Sequence, residues 1–184
     1  NRFDFNFITL NKKKMIKNYF NLDIIPQIIS NLVRKKIITK NNIKFKNGYY
    51  EDILFFFKVL FFSKKLKFIK KKIYNKVNRD ESIVNLISKN HILNLIGAYE
   101  DIYSFVKGRK VYKNLYYFFM ISIMGVTQNL SKRIMGIKSL KKRRFLNLSL
   151  YKSLKKYKKW ILKNYPIITK KDIFAKDFIL NEKR

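Results

Sequence analysis

The density of positive charge is the feature that most constrains this chain. Its formal net charge is +32 over 184 residues, because 43 lysines and arginines are opposed by only 11 acidic residues. A compact body with that charge repels itself unless a polyanion neutralises it. Yet 47% of the residues are apolar and 16% are aromatic, too many for a disordered basic tail. The composition therefore predicts a folded domain that lies against nucleic acid, with structural RNA as the favoured partner.

The scarcity of cysteine and histidine excludes several kinds of site. No cysteine occurs, and His91 is the only histidine. Disulfides, thiolate metal sites and metal sites with two histidines are therefore excluded. We predict no cofactor, no metal ion, no small-molecule substrate and no catalytic residues, and we interpret His91 as a packed side chain.

Residues with A+T-rich codons dominate the composition. Lys, Asn, Ile, Phe and Tyr are abundant, whereas Ala occurs only at positions 98 and 175 and Pro only at positions 26 and 166. An organellar genome is the simplest source of that bias. We therefore expect the protein to lie in the mitochondrial matrix.

Apolar residues recur with the period of a helix rather than that of a strand. The pattern predicts a mainly α protein, a helical bundle with basic extensions. Residues 1–20 are expected to form an irregular basic arm, and 41–48 a polar turn. The predicted helices before the last third of the chain cover residues 21–36, 49–77, 83–96, 100–106 and 111–124.

A short repeat marks two of these predicted helix starts. The segment Gly48-Tyr49-Tyr50-Glu51-Asp52-Ile53 recurs as Gly97-Ala98-Tyr99-Glu100-Asp101-Ile102. Carboxylates stabilise the positive end of a helix, so both copies are interpreted as helix starts. The two most apolar runs, at 53–62 and 115–126, are shorter than the roughly 20 residues of a membrane span, and we expect buried helices there.

The last third of the chain predicts four helices, separated by two glycine turns, a basic loop and a proline. An apolar helix is expected to end at Gly125-Val126-Thr127, and a short helix over 129–135 at a left-handed Gly136. A basic loop, 138–144, then precedes a helix from Asn147 or Ser149 to Tyr165. Pro166 ends that helix, and Thr169 begins a last one. We divide the chain into a basic helical extension or domain, residues 1–110, and an RNA-binding region, residues 111–184.

The candidate RNA-binding residues are basic side chains around this turn and along the following helix. Neutralising phosphates with such side chains releases condensed counterions and gives strong, salt-sensitive affinity. Four tyrosines, Tyr112, Tyr116, Tyr151 and Tyr165, are alternatives for base stacking, although the core is the commoner place for such residues. The candidates for phosphate contact are Lys132, Arg133, Lys138, Lys141, Lys142, Arg143, Arg144, Lys155 and Lys159.

The order of motifs in residues 115–184 resembles the N-terminal half of the small-subunit ribosomal protein thirteen family. The matching residues are Gly125-Val126-Thr127, Ser131-Lys132-Arg133-Ile134, Gly136-Ile137, Leu148-Ser149 with Leu154 and Tyr157, and Asp172-Ile173. The resemblance implies a helix–glycine turn–helix element that lays backbone amides and basic side chains on rRNA phosphates. Thr127 stands where the family usually has a second glycine, and the family's basic tail is absent. Such a member would be divergent and extended at its N-terminus.

Three functions are compatible with the sequence, in order of preference. The first is a structural constituent of an organellar ribosome, in the small subunit, with rRNA and neighbouring ribosomal proteins as partners. The second is an accessory subunit of an organellar membrane complex whose basic surface contacts anionic lipid. The third is a fragment of a nucleic-acid-processing enzyme, which the scattered acidic residues and the lack of a glycine-rich phosphate loop disfavour.

Overall fold

A computed structural model describes residues 8–24, 26, 28–29, 31–67, 77, 87–109 and 114–161. The described residues are mainly helical, which confirms the predicted fold class of a mainly α bundle. Predictions that fall on residues 68–76, 78–86, 110–113 and 162–184, including Asp172-Ile173, lie outside the described residues. The elements in chain order are β1 (Ile8–Thr9), α1 (Lys12–Phe20), α2 (Lys35–Lys40), α3 (Glu51–Phe62), β2 (Lys65–Leu66), α4 (Lys89–Lys107), α5 (Leu115–Met135), α6 (Leu140–Leu154) and a 3-10 turn (Lys155–Tyr157).

Helix α4 lies at the centre of the bundle and contacts α3, α5 and α6. It begins at the N-cap Ser88, whose hydroxyl accepts a hydrogen bond from the backbone of His91. Its buried positions recur every three or four residues, so α4 presents apolar side chains to helices on more than one side. Helix α1 packs against α3 and α5 and closes the bundle on another side.

One core joins both parts of the chain. It runs from Met15 in α1 to Ile161 after α6, so residues on either side of position 110 share it. Aromatic rings fill much of its volume. Tyr19 and Phe57 meet edge to face at 4.9 Å, and the Tyr19 hydroxyl donates to the backbone oxygen of Ile53 at 2.7 Å. A smaller cluster of Ile43, Phe55 and Val59 lies where α2 meets α3.

The first forty residues differ from the sequence prediction. The predicted irregular arm contains helix α1, which Asn11 caps and which buries Met15, Ile16, Tyr19 and Phe20 on one face. The predicted helix over 21–36 is wrong, since the described residues from 21 to 34 are not helical and Leu22 has a φ of 65°. The helix that comes after this segment is the short α2, Lys35–Lys40.

The predicted helix over 49–77 is wrong at 63–67, because the described residues after Phe62 are not helical. Helix α3 ends there because Ser63 adopts an extended conformation, and β2 then pairs antiparallel with β1. That pairing joins residues almost sixty positions apart, so no local pattern announces it. Val77 is not helical and is exposed.

Two helices that were predicted as pairs of helices are continuous. Helix α4 runs through Gly97, so the second copy of the repeat lies inside a helix and only the first, at α3, is a helix start. Helix α5 runs through Gly125, so the predicted turn at 125–127 is wrong. A glycine turn does join two helices in this region, but it lies at Gly136, whose φ of −67° is right-handed rather than left-handed as predicted.

Within the described parts of the chain, we find no helix that combines the length and the apolar character needed to cross a membrane.

Candidate nucleic-acid interface

The hairpin of α5 and α6 carries basic side chains without any acidic ones. Between residues 115 and 161 the sequence has no Asp or Glu. Four residues separate the end of α5 from the start of α6, so the basic residues at the end of one helix adjoin those at the start of the next. The basic side chains of the hairpin are Lys132, Arg133, Lys138, Lys141, Lys142, Arg143, Arg144, Lys152, Lys155, Lys156, Lys158 and Lys159.

The segment predicted as a basic loop is the start of helix α6. Ser139 is the N-cap, and its hydroxyl oxygen accepts a hydrogen bond from the backbone N–H of Lys142 at 3.3 Å. The sequence prediction placed the start of this helix near Asn147 or Ser149. It was wrong because the charges at 141–144 hid the capping serine, although Ser is among the preferred N-cap residues.

Four consecutive cations therefore occupy the first two turns of a helix. We call Lys141, Lys142, Arg143 and Arg144 the α6 cation cluster. The N-terminus of a helix carries a partial positive charge, so cations there oppose the helix dipole. Helix α3 has the usual arrangement instead, with Glu51 and Asp52 in its first turn.

The nine side chains predicted to contact phosphate are exposed to solvent, with two exceptions. Lys132, Lys138, Lys141, Lys142, Arg144, Lys155 and Lys159 are exposed. Arg143 is half-buried. Arg133 is also half-buried and donates a hydrogen bond to the hydroxyl of Tyr50 at 2.9 Å, which ties the end of α5 to the start of α3. The structure therefore gives Arg133 a positioning role within the fold.

The side of α6 opposite its solvent-exposed face packs against the hydrophobic core. Leu146, Leu150 and Leu154 are buried at helical spacing, and Tyr157 continues the stripe through the 3-10 turn. The spacing of apolar residues predicts one face of this helix with Leu150, Leu154, Tyr157 and Ile161, and with Leu162 or Trp160. The first four are buried as predicted, Trp160 is half-buried, and Leu162 lies outside the described residues. The opposite face presents Lys141, Arg144, Lys152, Lys155 and Lys159 to solvent.

Sequence reasoning missed two apolar residues on that basic face. Phe145 is 55% exposed and Leu148 is 52% exposed. Their helical register with Lys141 and Lys152 was the available signal, but it could be read only once the helix was known to begin at Leu140. Of the tyrosines proposed for stacking, Tyr116 is exposed and contacts Trp160, Tyr151 is half-buried, and Tyr112 and Tyr165 lie outside the described residues.

Two acidic side chains, Glu51 and Asp101, line a groove between the start of α3 and the middle of α4. The groove has a volume of about 150 Å³ and is lined by Tyr49, Tyr50, Leu93 and Gly97 among others. Lys46 and Asp101 form a salt bridge at its edge, with 2.6 Å between nitrogen and oxygen.

Two further properties of the acidic residues concern the pKa of Asp52 and the capacity to hold a metal ion. Burial, and then repulsion from Glu51, raises the pKa of Asp52. Within the ranges the structure describes, no three His, Asp or Glu side chains come together in a way that could hold a metal ion. Among the described residues, Glu100 contacts the hairpin through Lys156 and Tyr157, and no ion pair involves Lys141 to Arg144.

No protein-family model, curated protein or solved structure matches this chain.

Proposed function

We propose that the protein is a structural, RNA-binding constituent of an organellar ribosome, preferably of the small subunit. Its partners are rRNA and neighbouring ribosomal proteins, and its location is the mitochondrial matrix. The observation that supports this proposal best is the α6 cation cluster. Four cations at the positive end of a helix, on a hairpin without acids, form a surface suited to phosphate.

The physical argument starts from the free protein. Each cation near the N-terminus interacts unfavourably with the helix dipole, by about 0.3–1 kcal/mol at low ionic strength. A phosphate bound there accepts hydrogen bonds from the side chains and also interacts favourably with the helix end. The unfavourable charge of the free helix thus becomes favourable in the complex, so RNA binding and folding support each other.

The kind of recognition also follows from the side chains. Lysines and arginines that contact phosphate set position and orientation but carry no base sequence. We therefore expect affinity that depends on RNA shape and falls steeply with salt. The preference for a small ribosomal subunit rests on the motif resemblance around 131–137 and 148–157, because Gly125 is not at a turn.

The test compares two variants that lose the same number of charges. In the first, the α6 cation cluster is changed to glutamine. In the matched control, the exposed residues Lys13, Lys14, Lys35 and Lys36 of α1 and α2 are changed to glutamine. RNA affinity is measured over a series of salt concentrations. For the first variant we expect the slope of log affinity against log salt to fall by about 0.7–0.9 for each phosphate that the variant no longer neutralises.

Two results would contradict the proposal. Equal losses in both variants would mean that net charge alone, and not the α6 surface, binds RNA. Sedimentation of organelle lysate is the second test: the chain should co-migrate with the small ribosomal subunit and leave it after RNase treatment. Migration with a detergent-solubilised membrane complex, unchanged by RNase, would instead favour an accessory subunit whose basic surface contacts lipid.

A further inference from the structure

Phe145 has an unusual environment for an aromatic residue of this protein. It lies on the solvent side of α6, and in the part of the chain that the structure describes no other ring contacts it. The other exposed phenylalanine there, Phe45, is stacked on Phe55 at 3.9 Å with parallel planes. Phe145 thus exposes a flat apolar surface that the fold does not cover.

The neighbours of Phe145 on this face are cations and one leucine. Lys141 lies four residues before Phe145, Leu148 three residues after it, and Lys152 four residues after Leu148. Residues three or four apart share a helix face, so these four side chains form one stripe. All four are exposed. The stripe is about 16 Å long at the rise of an α-helix.

The mixture of groups in this stripe identifies the chemistry of its ligand. Lys141 and Lys152 favour an anion at each end of the stripe. The ring of Phe145 favours a flat apolar partner between those two anions. Unpaired nucleic acid has both, because its bases expose planar faces next to charged phosphates. A continuous duplex offers only phosphates at this distance, since its bases are stacked on each other.

We propose that Phe145 is a base-stacking residue, so that the RNA element bound by α6 carries an unpaired base. This inference rests on the proposed function and narrows its ligand. Anionic lipid fits the stripe less well. Helices that lie in a membrane interface separate an apolar face from a charged one. In α6 the apolar face is buried in the core, and the exposed Phe145 and Leu148 lie on the opposite face, between Lys141 and Lys152.

The experiment uses the full chain and two synthetic RNA hairpins that differ by one nucleotide, a single bulged adenosine that is present in one and absent from the fully paired other. Wild type should bind the bulged hairpin more tightly. F145A should weaken binding of the bulged hairpin by about fivefold or more, as expected when one base–aromatic stack is removed, and leave the paired hairpin unchanged. F145W should restore the preference, because it replaces one ring with another.

Leu93 supplies the matched control, since it is an apolar residue of α4 that is 45% exposed and lies outside the stripe. L93A should change either affinity by less than about twofold. Circular dichroism of each variant checks that α6 remains folded.

The inference is overturned if F145A binds both hairpins as wild type does, or weakens both equally. It is also overturned if F145A binds both hairpins normally but no longer binds vesicles of phosphatidylcholine with phosphatidylglycerol, which would make the stripe a lipid contact. If wild type binds neither hairpin in a salt-dependent way, the proposed function itself fails, a result distinct from a mere lack of preference between hairpins.

Discussion

The side chain of Leu22 lies against the backbone of Gly125, with its Cδ1 2.6 Å from the position that a Cβ on Gly125 would occupy. Leu22 follows α1 and has a φ of 65°, and Gly125 is in the middle of α5. The glycine therefore lets the segment after α1 approach α5 closely. The contact gives Gly125 a role in packing, in place of the role in an RNA-binding turn that the sequence suggested.

The first prediction concerns this contact. Alanine in place of glycine inside a helix stabilises it by about 1 kcal/mol. In G125A, displacement of the Leu22 side chain should offset most of that gain. In the L22A background the offset is removed, and G125A should raise the free energy of unfolding by about 1 kcal/mol. Urea unfolding of wild type, G125A, L22A and the double variant gives the coupling energy between the two positions.

Gly97 provides the matched control for Gly125. It too lies inside a helix, and a Cβ there would meet no atom within 4 Å. G97A should therefore show the full stabilisation of about 1 kcal/mol in either background. Equal gains for G125A with and without Leu22 would show that the close approach has no energetic consequence.

The second prediction separates stability from RNA binding at the start of α6. K142E places a glutamate three residues after the capping Ser139, which creates a capping box. It also replaces an unfavourable charge at the helix dipole. We expect the free energy of unfolding to rise by about 0.5–1 kcal/mol, while RNA affinity falls.

The same change from lysine to glutamate, made at Lys152, tests the other end of the helix. It lies in the last turn of α6, where a cation is favourable. K152E should lower both the free energy of unfolding and RNA affinity. Chemical unfolding and RNA titration at one salt concentration test both variants, and a loss of stability in K142E would contradict the placement of the helix start.

The third prediction concerns stability at alkaline pH. Burial raises the pKa of Tyr99 to about 12 from its ordinary value of 10.0. The folded state therefore holds the phenol proton more tightly than the unfolded state does. The resulting stabilisation is complete below pH 10 and is lost as the pH rises towards 12.

Y99F removes this titration and provides the comparison. The difference in unfolding free energy between wild type and Y99F should be constant below pH 10, and wild type should then lose stability more steeply. Urea unfolding between about pH 8 and 11 measures it; deprotonation of the lysines affects both proteins alike and cancels. Parallel curves above pH 10 would contradict burial of the Tyr99 hydroxyl.

The fourth prediction concerns Glu100, which joins α4 to the 3-10 turn. Its carboxylate accepts a hydrogen bond from the Tyr157 hydroxyl and forms a salt bridge with Lys156. A hydrogen bond to a half-buried charge should matter more than an exposed ion pair. In a double-mutant cycle, E100A and Y157F should couple by about 1 kcal/mol.

The pair Glu100 and Lys156 should couple less strongly. Lys156 remains 56% exposed, so K156A should change the unfolding free energy by less than about 1 kcal/mol. A larger coupling for Lys156 than for Tyr157 would mean that charge, rather than the half-buried hydrogen bond, joins these elements.

The sequence identified the basic residues of the candidate interface. It did not show which of their side chains share one surface. Lys141 to Arg144 were identified by their charge, yet their position at the start of a helix depends on the cap at Ser139. Phe145 and Leu148 were missed because an apolar residue reveals its side of a helix only when the helix bounds are known. Arg133 was assigned to RNA, but its hydrogen bond to Tyr50 depends on how α5 meets α3.

The sequence by itself determined that the chain is helical and which residues of α6 face the core, because the period of apolar side chains is a local property. The tertiary structure alone decided where helices end. Glycine interrupts neither α4 nor α5, since its cost of about 1 kcal/mol is small beside the burial of side chains on both sides of it. Conversely, α3 ends early because Lys65–Leu66 pairs with Ile8–Thr9. Both outcomes arise from contacts between residues far apart in the chain, which local periodicity does not contain.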